Sequence, residues 1–152
     1  MSYLTVITLD QAKLHLRIDD DTFDSEITRM IKSALSICEQ ETKHILYARD
    51  KDYFTSSNGC LRVFDYPINS VVDPVDTTGT QRQLWTDYSI AEDSKITLNV
   101  GYTNPDEVPT QLIDAALQIM DVWFYGSEKQ MNISLIPDAV YSNLHKLKRF
   151  II

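Results

Sequence analysis

From Pro109 to Gly126 the chain reads PTQLIDAALQIMDVWFYG. Leu112, Ile113, Ala116, Ile119, Met120, Trp123 and Phe124 recur at intervals of three and four, and Leu117 and Val122 widen the face they form. A helix that is apolar over so much of its circumference cannot lie on a surface with one stripe turned inward. Other elements must pack around it, so this segment is the expected centre of the core. Its ends are marked as well. Pro109 stands early, where a missing N–H costs nothing, and Gly126 stops the helix.

Three further segments carry a helical period. Thr8-Leu9-Asp10-Gln11 fits a capping box, with the Thr8 side chain on the Gln11 amide and the Gln11 side chain reaching back. Leu9, Ala12 and Leu16 then share one face of a short helix ending near Arg17. Ile27, Met30, Ile31, Ala34 and Cys38 form the stripe of a second helix, with Asp21 as its expected N-cap and Lys43 and His44 in its last turn. Pro137 and Asp138 start a final helix with Val140, Tyr141, Leu144 and Leu147 expected to face inward.

Between the helical pairs the period changes. Ile96, Leu98, Val100 and Tyr102 alternate with polar residues, the pattern of a half-buried strand. Tyr53-Phe54 and Leu61–Phe64 flank SSNG, and Asn58-Gly59 predicts a hairpin between them. DTTGTQ predicts a second turn, joining a strand around Val71–Val75 to one around Leu84-Trp85. The expected fold is therefore α+β and mainly α-helical, as one domain over residues 1–152. Four helices in two pairs (about 8–17, 22–45, 109–126 and 137–149) enclose a small antiparallel β insertion at about 47–102.

Chemistry is hard to place on this frame. Asp19, Asp20, Asp21, Asp24 and Glu26 crowd into one stretch, but a calcium loop counted from Asp19 meets Phe23 at its fifth position and Asp24 where a glycine is needed. The run suits a helix junction better, with Asp24 and Glu26 against the positive end of the second helix. His15, His44 and His145 form no ligand-spaced motif, nor do Cys38 and Cys60. Cys38, on the apolar stripe, is expected as a small core residue. With four glycines in all, the chain holds no nucleotide-binding glycine loop and no nucleophile-elbow motif. No catalytic, cofactor-binding or metal-binding residue is predicted.

The charge balance narrows the partners. A formal net charge of -8 repels a phosphate backbone at long range, which argues against broad DNA binding. No run is apolar for long enough to span a membrane, and the N-terminus lacks a signal peptide's pattern, so a cytoplasmic protein is expected. The one basic cluster, His145-Lys146-Leu147-Lys148-Arg149-Phe150, is followed by Ile151 and Ile152. Basic charge beside exposed apolar residues has the composition of a docking peptide. Lys146, Lys148, Arg149, Phe150, Ile151 and Ile152 are the candidate partner-docking residues.

In this order the segments resemble the head–tail connector (adaptor) proteins of tailed bacteriophages, also described as DNA-packaging proteins. ITLDQAKLHLRIDDDTFDSEI, YPINSV, NVGY with VPTQLIDAALQIMDVWFYGSE, and IPDAVYSNLHKLKRF carry the likeness over nearly the whole length. Phe124-Tyr125-Gly126-Ser127-Glu128 departs from it, where family members usually carry an asparagine–arginine pair. The resemblance implies a non-enzymatic virion subunit without cofactors, made in the host cytoplasm and incorporated at the head–tail interface. Its copies would form a ring, typically dodecameric, beneath the portal protein and present a platform to the next connector, stopper or tail protein. DNA would pass through the channel without specific binding, and no membrane is involved. Two other classes remain: a small DNA-packaging or nucleic-acid-binding factor, which the net charge disfavours and the basic cluster keeps open, and an enzyme, for which no residue set speaks.

Overall fold

The computed structural model describes residues 2–55, 59–74, 77–91, 94–126 and 137–148. Helices α1 (Tyr3–Val6), α2 (Leu9–Leu16) and α3 (Asp24–Thr42) come first. Strands β1 (Arg49–Phe54), β2 (Cys60–Val63), β3 (Ile68–Asp73), β4 (Gly79–Gln81), β5 (Thr86–Ser89) and β6 (Lys95–Val100) follow. A 3-10 turn at Pro105–Glu107 leads into α4 (Thr110–Tyr125), and α5 (Asp138–Leu147) closes the described chain.

Helix α4 does occupy the centre. Leu112, Ala116, Ile119 and Met120 are fully buried against α3, α2 and α5, in a core that also takes in Ile27, Ile31, Ala34, Leu35 and Cys38 of α3. Each of the larger side chains contributes about 1.5–3 kcal/mol by leaving water. The capping box of α2 forms as the sequence predicts: the Gln11 amide donates to Thr8 Oγ1 (3.2 Å), and the Thr8 amide to Gln11 Oε1 (2.9 Å). On α5, Val140 and Leu144 are buried, but Tyr141 points outward and is 44% exposed.

The expected fold class needs correction. Among the described residues there are five α-helices and two three-stranded antiparallel sheets, not four helices around a small β insertion. The extra helix, α1, is a single turn containing Thr5 and Val6, too short and too β-branched to show a period. Tertiary contacts hold it: Val6 enters the core and Tyr3 reaches α3.

The strands also pair differently from the prediction. One sheet runs β1-β6-β3 and the other β2-β5-β4. No hairpin joins β1 to β2, because β1 pairs with β6 from Arg49↔Val100 to Phe54↔Lys95, and β2 pairs with β5. The second predicted turn fails too. Gly79–Gln81 is itself strand β4, and the hairpin turn lies at Arg82–Trp85, closed by the Arg82 amide on the Trp85 carbonyl (2.8 Å). Local turn residues favour pairing between neighbours, but burial decides. Ile96, Leu98 and Val100 of β6 need an apolar cover, and Val63 and Tyr88 of the other sheet supply it with Ile45 in a second core.

Helix α3 begins and ends later and earlier than its pattern suggests. Its N-cap is Phe23, not Asp21, and it stops at Thr42, leaving Lys43 and His44 beyond its last turn. Arg17 and Lys43 close α2 and α3 in the left-handed region (φ 56° and 63°), so neither end carries a glycine to announce it. Gly101 is different, because its φ of +112° demands glycine. A Cβ there would lie 2.2 Å from the Tyr47 carbonyl oxygen.

Candidate functional site

The acidic run is a folded junction held by its own neighbours. Asp20 Oδ1 accepts the Thr22 amide (2.8 Å), which holds its carboxyl below the usual range. Lys13 Nζ lies 2.6 Å from Asp21 and 2.8 Å from Asp24, and those two carboxylates raise its pKa. Asp21 therefore braces α2 and does not cap α3. Asp24 and Glu26 do sit in the first turn of α3, Glu26 paired with Arg29. Among the described residues no group of three or more His, Cys, Asp or Glu side chains could hold a metal ion.

The histidines stand in three separate places. His15 Nε2 lies 2.9 Å from Asp121 and links α2 to α4. His44 is buried, with Nδ1 2.8 Å from the Tyr102 hydroxyl and its ring stacked on Tyr102 and edge-on to Tyr66. His145 is exposed on α5 beside Tyr141. Cys38 is in the core as predicted, and burial pushes its thiol up to about 12. Cys60 is exposed.

Two buried carboxylates, neither singled out by the sequence, anchor β1, one to the helices and one to the segment between β2 and β3. Glu39 of α3 accepts the Tyr3 hydroxyl (2.6 Å), the Leu46 amide (2.7 Å) and both ends of the Arg49 guanidinium (3.1 and 2.8 Å). Arg49 also lies over the Tyr47 ring, 4.6 Å from its centroid, and Tyr3 meets Tyr47 edge-on. Burial, then the Glu39 bond, pushes the Tyr3 hydroxyl up to about 12. Asp65 repeats the arrangement with Lys51 Nζ and the Tyr53 hydroxyl, each at 2.6 Å; burial and then Asp65 raise the Tyr53 pKa. Arg49, Lys51 and Tyr53 alternate along β1 and so share one face. That alternation was visible in RDKDY, but the carboxylates that satisfy it are remote in sequence. Both oxygens of Glu39 and Oδ2 of Asp65 are engaged by neighbours within the fold, an arrangement that fixes geometry.

What remains open to a partner is surface. At one corner Phe23, Phe124 and Tyr125 form an aromatic series with ring centroids 5.6 and 5.2 Å apart, and the Tyr125 hydroxyl donates to the Leu16 carbonyl. Leu14 projects from α2, 81% exposed. On another side a groove of about 290 Å³ runs between α4 and α5, lined by Asp114, Ala115 and Gln118 facing Val140, Asn143 and Lys146. Of the candidate docking residues, Lys146 is exposed on α5 and Lys148 is its C-cap. Arg149, Phe150, Ile151 and Ile152 lie outside the described residues.

Comparison with protein-family models and with curated proteins gives no match. Solved structures do match. A chain in the virion of a native gene transfer agent particle aligns at TM-score 0.69 and 11% identity, covering 100% of this chain and 94% of that one. A chain in the neck of the empty particle, computed with C6 symmetry, aligns at 0.71 and 13%, covering 97% and 92%. One in the neck of the native particle, computed with C12 symmetry, aligns at 0.68 and 12%, covering 97% and 91%. The chain therefore shares the fold of these chains end to end.

Proposed function

We propose that this chain is a non-enzymatic structural subunit of the neck of a phage-like particle, a head–tail connector whose copies close a ring beneath the portal. The observation that carries the reading is the match, over 97–100% of the chain, to chains in gene transfer agent structures, two of them necks computed with C6 and C12 symmetry. The resemblance of the sequence to phage connectors points the same way from independent features.

The physical properties suit the role. A ring requires head-to-tail contacts, so each subunit needs two different sticky faces. The exposed corner on α2 and the α4–α5 groove are two such faces. A channel for moving DNA should hold it weakly, and the net charge of -8 removes the attraction that would retain it. The portal and the next connector or tail protein are the partners above and below, with Lys146–Ile152 as a docking segment for the portal or a neighbouring subunit. Ion-paired joints such as Glu39–Arg49 suit a part that bears load without changing shape.

The test is to tag the chain in the cell that encodes it, purify the particles and reconstruct them. The expected result is a ring of this subunit at the unique vertex, and heads that fail to join tails when its gene is deleted. Particles that lack the protein, or a stable two-fold dimer of the purified protein at every concentration, would overturn the proposal.

A further inference from the structure

We infer that the ring contact is made by Leu14 of one copy seating in the α4–α5 groove of the next, with two ion pairs flanking it. The inference rests on the connector reading and names the two faces that reading leaves open. Leu14 is 81% exposed on α2, more than any other large apolar side chain among the described residues. Arg17 lies about one turn beyond it and is exposed, as is Asp19 on the connection that follows. Among the described residues neither side chain has a partner, although Lys13, Asp20, Asp21, Asp24 and Glu26 around them are all bonded.

The groove offers the complement. Its floor is apolar, from Ala115 on α4 and Val140 on α5, and both are buried. Its rims carry Asp114 on one side and Lys146 on the other, again with no partner among the described residues. A volume of about 290 Å³ admits a leucine side chain with room for the flanking backbone. Seating Leu14 there sets a cation and an anion against an anion and a cation, Arg17 on Asp114 and Asp19 on Lys146. The charge pattern thereby selects the head-to-tail orientation over alternatives.

The two faces lie apart on one subunit. Tyr125 and Asp121, which hold α2, lie toward the C-terminal end of α4, whereas the groove is lined by Gln111, Asp114, Ala115 and Gln118 before them. A surface patch that recognises a distant patch on an identical neighbour propagates in one direction, which is the geometry of a ring. A second copy of this chain is therefore the occupant.

Cross-linking tests it with the full chain. In a Cys60→Ser background, Leu14→Cys and Asn143→Cys are combined in one chain and treated with a short bis-maleimide, both in concentrated solution and in assembled particles. The expected product is a ladder of covalent oligomers, and mixing the two single variants should give dimers only. In parallel, Asp19→Lys and Lys146→Asp should each raise the concentration for half-assembly roughly tenfold, and the double variant should recover most of it. Dimers from Leu14→Cys alone, or assembled rings that neither cross-link nor respond to the charge changes, overturn this contact and leave the connector reading standing. A protein that forms no ring in solution or in particles overturns both.

Discussion

The Glu39 joint makes the sharpest stability prediction. Glu39→Ala removes the acceptor for four donors at once: the Tyr3 hydroxyl, the Leu46 amide and two guanidinium N–H groups of Arg49. Breaking a buried ion pair by deleting one partner costs about 3–5 kcal/mol, because the other charge stays behind. The Arg49 side chain keeps 29% of its surface exposed, so water can partly rehydrate the guanidinium and the low end of that range applies. The Leu46 amide is buried and cannot be rehydrated, which adds about 1–3 kcal/mol for an orphaned donor. These terms share one site and are not additive, so the expected loss is about 3–4 kcal/mol. With a urea m-value of about 2 kcal/mol/M, the unfolding midpoint should fall by about 1.5–2 M. Glu39→Gln keeps an acceptor for Leu46 but turns an NH2 toward Arg49, and should cost about half as much. Equilibrium unfolding followed by circular dichroism measures both. A midpoint shift under about 0.5 M for Glu39→Ala, at unchanged m, would refute the view that this carboxylate ties α1 and β1 to α3.

Three other outcomes follow from the same contacts. Gly101→Ala places a methyl group 2.2 Å from the Tyr47 carbonyl at φ +112°, and should lower stability by about 3 kcal/mol or more in the same urea assay. Because the Tyr3 pKa is raised from 10.0 to about 12, the folded state binds the extra proton between those values; stability is intact below pH 10 and falls as pH rises toward 12. Tyr3→Phe should flatten that part of the decline, read as the difference between the two proteins' midpoints across the window. A thiol reagent should titrate Cys60 in the native protein and reach Cys38 only in urea, since Cys38 is buried and its thiol is held protonated; rapid labelling of both under native conditions would contradict the burial.

The sequence by itself determined helices α2, α3, α4 and α5, though not α1. Periodicity is a local property, so the stripe of α3, the wide apolar face of α4 and the capping box of α2 could be read where they stand, and Cys38 with them. The alternation of β6 was legible for the same reason, and its burial came out as written. Strand partnership was not legible. β1 finds β6 some forty residues away, and nothing in SSNG says that β1 will ignore β2. Turn chemistry proposes neighbours, but the sheet forms where both apolar faces can be covered, and that is settled only when the whole chain has folded. The end of α3 was misplaced where a left-handed lysine took the role of glycine, since the cost of that backbone is carried by packing that the sequence does not display. The candidate faces divide in the same way. The basic character of Lys146 was evident from composition, yet the groove it borders exists only because α5 lies along α4. Leu14 was one apolar residue among many in a helical pattern, and only the packing of α2 showed that this one points away from the core. Local spacing fixes what a segment can become; which of its faces is left for a partner depends on what the rest of the chain has already covered.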